Sequence, residues 1–186
     1  MLDLLLQDAA YRELYNNTMA DLADAENAVY EALVEAARHV KETAQALEDT
    51  LDRAAKLPDG TKVFRGRDGK VYTEDGEEVD AASVALISWP DDAPSWEDYQ
   101  KLREAHDDAS ADHSKLVGYQ SELDDIRAHM EDPENPPTKD DMNGYRQRIK
   151  DIGRDAVKAN NVENEMAVER PENTEVPDLD LGLPGL

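Results

Sequence analysis

Four histidines, His39, His106, His113 and His129, stand among 44 aspartates and glutamates in a chain of 186 residues that contains no cysteine. Histidine and carboxylate are the raw material of metal centres and of general acid–base pairs, so spacing decides what they can do. On one helix, His106 and His113 would share a face but lie about 10 Å apart along the axis, too far to hold one ion. Helical di-iron centres use Glu-x-x-His pairs, and the residues three before His106, His113 and His129 are Arg103, Ser110 and Ile126. The chain has no Gly-x-Ser-x-Gly elbow, phosphate-binding loop, dinucleotide fingerprint or His-Glu-x-x-His pair. The expectation is a protein that is not an enzyme and holds no cofactor or metal. His106 and His113 then read as a polar layer in a helical seam, where buried polar groups fix register.

The dipeptides Asp59-Gly60, Asp68-Gly69 and Asp75-Gly76 could suggest calcium, but neither the EF-hand spacing nor a tandem glycine-rich nonapeptide surrounds them. They read instead as turns. Lys62 to Arg65 and Lys70 to Thr73 are short β-branched and aromatic runs on either side of Gly66-Arg67-Asp68-Gly69, so they predict a hairpin whose glycines take positive φ. Glu77 to Val79 could add a third strand after Asp75-Gly76. Strands this short bury too little to fold alone and must dock on something; Trp89 and Pro90 are expected to pack where the meander meets the helices.

The elements that must carry these groups are helical. From Tyr11 to Ala54 the positions Leu22, Ala25, Val29, Leu33, Ala36, Val40, Ala44, Leu47, Leu51 and Ala54 follow alternating steps of three and four, predicting one amphipathic helix that Pro58 ends. Ser95 with Glu97 and Asp98 starts a second helix, with a seam through Tyr99, Leu102, His106, Ala109, His113, Leu116, Gln120, Leu123, Ile126 and Met130. Pro133, Pro136 and Pro137 stop it. Thr138 and Asp141 open a third, with the stripe Met142, Tyr145, Ile149, Ile152 and Ala156. The segments are therefore 1–57, a long helix with an apolar start at 1–7; 58–94, the β-meander and connector; 95–132, the second helix; 133–165, a third and more basic helix; and 166–186, an acidic extended tail. The fold class is mainly α, an elongated antiparallel helical hairpin or three-helix coiled-coil-like bundle with a small β-meander between helices 1 and 2. Folding about the meander pairs residues whose numbers sum to about 153, which brings Leu47 to His106 and Val40 to His113.

A formal net charge of −24 opposes direct binding to phosphate backbones and favours basic protein partners. Arg146, Arg148, Lys150, Arg154 and Lys158 break the acidic trend and are expected to lie against acidic neighbours in the same molecule. Met1 to Leu6 is apolar but carries Asp3 and no basic flank, and no apolar run approaches bilayer length, so a soluble, cytoplasmic chain is expected, without membrane association. Leu4 and Leu5 near the start, and Leu179, Leu181, Leu183 and Leu186 in the tail, are candidate partner-binding anchors, because short apolar segments flanked by acids can dock in grooves with basic rims. The functional expectation is an acidic helical interaction module, an adaptor, scaffold or inhibitor, that binds a basic or grooved protein and has seams open to homo-oligomerisation. The alternative is a nucleic-acid mimic that occupies the basic groove of a DNA- or RNA-binding enzyme and inhibits it, as some phage-encoded anti-defence proteins do. A third reading takes Asp178-Leu-Asp-Leu-Gly-Leu183, which resembles the Gln-Leu-x-Leu-x-Leu pattern of sliding-clamp peptides, with Asp178 in place of glutamine.

Overall fold

A computed structural model describes residues 7–168, with side chains for 7–160. Three long helices and a small sheet make up the chain: α1 (Ala9–Arg53), β1 (Ala55–Lys56), β2 (Lys62–Arg65), β3 (Val71–Thr73), a single turn α2 (Ala81–Val84), α3 (Trp96–Glu131) and α4 (Lys139–Val168). This is the mainly α fold with a β-meander insert that the periodicity predicts. None of the described helices is long and apolar enough to cross a membrane.

α1 has 45 residues, about 68 Å at 1.5 Å per residue, and a helix of that length needs partners along its flank. It has two. α3 returns antiparallel, with Arg127 Nε on Glu26 Oε1 at 2.7 Å and His106 against Thr43. α4 runs parallel to α1, tied by Lys139 to Asp8 at 2.7 Å and by Arg146 to Asp21 at 2.7 Å. The shared core holds Leu22, Val29, Leu123, Met130, Met142, Ile149 and Ile152, all fully buried, and burial of each such side chain contributes about 1.5–3 kcal/mol. α4 packs closely on α1 here, and a Cβ at Gly153 would lie in ordinary contact with Ala25 Cβ at 3.5 Å. Arg148 reaches Glu122 on α3 at 2.6 Å and Arg154 pairs with Asp151 at 2.7 Å, so the basic segment does lie against acids of its own chain.

The connections are fixed by side-chain caps. Asp8 accepts from Tyr11 N at 3.0 Å, Ser95 from Asp98 N at 3.1 Å, and Thr138 and Asp141 cap each other reciprocally at the start of α4. These bonds satisfy main-chain donors that a helix start leaves open. Tyr11 Oη donates to the carbonyl of Pro137 at 2.9 Å in a buried contact, holding the α3–α4 connection against the start of α1.

The sheet departs from expectation in its third member. Its order is β1-β2-β3, all antiparallel, with Ala55 opposite Val63 and Phe64 opposite Tyr72. α1 thus stops at Arg53, short of 57, because Ala54 turns extended (φ −61°, ψ 144°) and delivers Ala55 and Lys56 to the edge of β2. Glu77 to Val79 forms no strand; Glu78 makes a single bridge to Tyr72. Lys70 stays outside β3, closing the turn through its carbonyl to Gly66 N at 2.8 Å. Gly69 has φ +83°, a conformation side chains with a Cβ resist. Both faces of β2 are covered, since Phe64 faces Ala54, Leu47, Leu51, Trp96 and Tyr99, while Val63 faces Leu57, Val79, Val84, Ile87 and Trp89. Trp89 therefore packs on the face away from the long helices, under the Arg65 guanidinium at 4.4 Å, and does not fill the helix junction as expected. α4 continues to Val168, past the boundary at 165.

The seam also shifts in phase. Thr43 and Thr50 are buried, whereas Ala44 and Gln120 are exposed. Leu47 and Leu51 lean toward the Phe64 cluster, which rotates the α1–α3 contact onto the threonines.

Candidate functional site

Where the sheet meets the start of α3, four aromatic rings assemble. Phe64 stacks on Tyr99 with centroids 4.3 Å apart, Trp96 lies 5.6 Å from Tyr99, and Tyr72 stacks on Trp96 at 5.2 Å. Phe64 and Tyr99 are buried; Trp96 and Tyr72 are half-buried and form the floor of an open groove of about 640 Å³. Gly76, at φ +83°, brings the Asp75-Gly76 turn beside the indole, where a Cβ would sit 3.5 Å from Trp96 Cζ2. Along α3, Gln100, Arg103, Glu104 and Asp107 follow Trp96 at helical spacing and form the opposite wall.

The charges in this groove are unequal in freedom. Arg103 is engaged, donating from Nη1 to the Glu74 carbonyl at 3.1 Å, which Tyr99 Oη also approaches at 3.4 Å. Asp75, Glu104 and Asp107 make no ion pair among the described residues. Tyr72 Oη donates to Asp68 Oδ2 at 2.6 Å, which holds the ring in place, lowers the Asp68 carboxyl below its ordinary range and raises the Tyr72 phenol. An aromatic floor beside three free carboxylates is suited to a cation, which the ring quadrupole and the acids both attract.

Of the residues singled out from sequence, His106 lies between α1 and α3 against Thr43, and both it and His113 are half-buried. His106 Nδ1 sits 3.1 Å from Thr43 Oγ1, whose hydroxyl also reaches the carbonyls of His39 at 2.9 Å and Val40 at 3.0 Å. The partner of His106 is thus Thr43, one turn before the expected Leu47. Among the described residues His113 makes no hydrogen bond. His129, given no role from sequence, is hydrogen-bonded through Nδ1 to Tyr145 Oη across α3 and α4, ring edge to face. Leu4, Leu5, Leu179, Leu181, Leu183 and Leu186 lie outside the described residues. Among the described residues no group of three or more histidines and carboxylates is placed to hold a metal ion.

Sequence reasoning missed the groove, because Tyr72 and Trp96 are far apart in the chain and only the fold of β3 against α3 joins them. The one available signal was a tryptophan next to the Ser95 cap, facing acids at helical intervals. The class is therefore a mainly α protein of three long helices with a small antiparallel sheet inserted after the first, and an acidic aromatic groove at the insert. No family model, curated protein or solved structure matches the chain.

Proposed function

We propose that the protein is a non-enzymatic acidic interaction module that takes a basic segment of a protein partner into the groove between β3 and α3. The observation that carries this reading is the juxtaposition of the Trp96–Tyr72 stack with Asp75, Glu104 and Asp107, three carboxylates without ion-pair partners among the described residues, beside an arginine that is already engaged. A lysine or arginine side chain laid on the indole would gain a cation–π contact of about 0.5–2 kcal/mol and the field of the carboxylates. The net charge of −24 would speed encounter with a basic partner. The tail leucines would add apolar anchoring; mimicry of nucleic acid rests on the net charge alone.

The test is a titration of the full chain carrying Trp89→Phe, so that Trp96 is the sole tryptophan, with short arginine-rich and lysine-rich peptides. Binding should change Trp96 fluorescence, weaken as salt is raised, and weaken further in Glu104→Gln/Asp107→Asn. Peptide binding that leaves Trp96 fluorescence unchanged, or that is indifferent to the double substitution, would remove this site from the reading.

A further inference from the structure

α1 carries a second stripe, on the side that its partner helices leave uncovered. Tyr30 is 67% and Val34 50% exposed, the two largest uncovered apolar side chains on this helix. Steps of three and four extend the stripe in both directions, through Asn27 and Ala23 toward the start and Ala37, Lys41 and Ala44 toward the end, all exposed. From Ala23 to Ala44 it spans about 32 Å. Its mean direction lies about 110° around the helix from the buried seam through Leu22, Val29 and Ala36, on the side that borders α3.

We infer that this face pairs with the same face of a second copy, antiparallel, about a two-fold axis at Val34. The stripe is self-complementary only in that arrangement. With Val34 opposite Val34, bulky Tyr30 meets small Ala37, Asn27 meets Lys41, and Ala23 meets Ala44. On the flank, Glu31 falls opposite Arg38 twice by symmetry, as an isologous contact requires. Glu31 makes no ion pair among the described residues, and Arg38, bonded to the half-buried Glu35 through Nε and Nη2 and to the half-buried Glu42 through Nη1 at 2.7 Å, would have to exchange or share one of these partners with Glu31 of the second copy. A parallel pairing would set Tyr30 against Tyr30 and Glu31 against Glu31, which sterics and like charge disfavour. Grooves flank Tyr30 on both sides, toward Gln120 and Asp124 of α3 and toward Asn160 of α4, leaving the stripe accessible.

The inference goes beyond the peptide-binding reading and is tested without any partner. In sedimentation equilibrium at about 0.15 M salt, where screening limits repulsion between the acidic bodies to about 8 Å, the intact chain should show a concentration-dependent monomer–dimer equilibrium. Glu31→Arg alone and Arg38→Glu alone should each raise the dimer Kd about tenfold, since each turns two attractive pairs into two repulsive ones. The double exchange E31R/R38E should restore it. Because the chain has no cysteine, Val34→Cys should oxidise to a linked dimer faster than the equally accessible Val117→Cys on α3. A monomer at every concentration, equal crosslinking of the two cysteine variants, or a double exchange no tighter than the single ones would overturn the proposal. Unchanged helical circular dichroism in each variant separates these outcomes from misfolding.

Discussion

Phe64 of β2 and Tyr99 of α3 lie ring on ring, 4.3 Å between centroids and 14° from parallel, and this stack fastens the sheet to the helices. Phe64 is completely buried, so Phe64→Ala leaves a cavity as well as losing apolar burial. The expected cost is about 3–5 kcal/mol, read as a lower urea midpoint. Because Trp96 sits on the same cluster, its near-ultraviolet circular dichroism should change in parallel. A loss of stability with the Trp96 signal intact would show that the sheet docks by other contacts.

The Thr43–His106 bond joins α1 and α3 across a thin part of their seam. Thr43→Val keeps the shape but leaves the ring nitrogen without its partner, and should cost about 1–2 kcal/mol. Adding His106→Leu should recover part of that loss, because both polar groups are then gone. Urea unfolding of the two single variants and the double variant gives the coupling; strict additivity would show that the bond does not set the register.

Tyr11→Phe removes the buried hydroxyl that serves the Pro137 carbonyl. The stranded acceptor should lower stability by about 1–3 kcal/mol. Hydrogen exchange should quicken first at the start of α4, whose cap follows Pro137 directly. Uniform quickening along all three helices would mean that the contact is not local.

Acid should destabilise the chain through its caps. Asp141, bonded to Thr138, and Asp132, bonded to Asn135 and the Glu134 amide, are held below the ordinary carboxyl value of 3.8, as is Asp8 by Lys139 and the Tyr11 amide. A carboxyl whose folded value is depressed adds stability that is fully present above the unfolded value and is lost as pH falls through the folded one. The window is therefore below 3.8. Asp141→Asn should be less stable than the parent at neutral pH, and the gap should shrink as pH drops through that window. A gap that stays constant with pH would place the effect of Asp141 in shape and not in charge.

Much of the fold was legible because helix signals are local. Ser95 before two acids and Thr138 three residues before Asp141 each act over one turn, and each operates as read; Pro58 does not, since α1 ends at Arg53 and the strand Ala55–Lys56 lies between them. What escaped was set at long range. Ala55 and Lys56 carry no strand signature and are extended only because Val63 and Lys62 lie beside them. Leu47 and Leu51 fit the seam by period, yet Phe64 draws them aside and buries Thr43 and Thr50 instead. The groove depends on Tyr72 meeting Trp96, a contact no spacing rule contains. The outer stripe of α1 was written in the same steps of three and four as the inner one, but alanines and an asparagine made it read as ordinary solvent-facing surface.

The edges of the sheet have a consequence for how other chains can engage it. Beyond β3, Val79 N already donates to the Val71 carbonyl at 2.8 Å and Thr73 N to that of Glu77 at 3.0 Å, so the outer rim of that strand is occupied by the chain's own backbone. At the other rim β1 offers only two residues. An incoming extended peptide finds no row of vacant amides to lengthen the ladder, and fibril-type stacking has no template from which to grow. Whatever docks near this insert has to be read by side chains, which makes recognition here a matter of charge and ring faces.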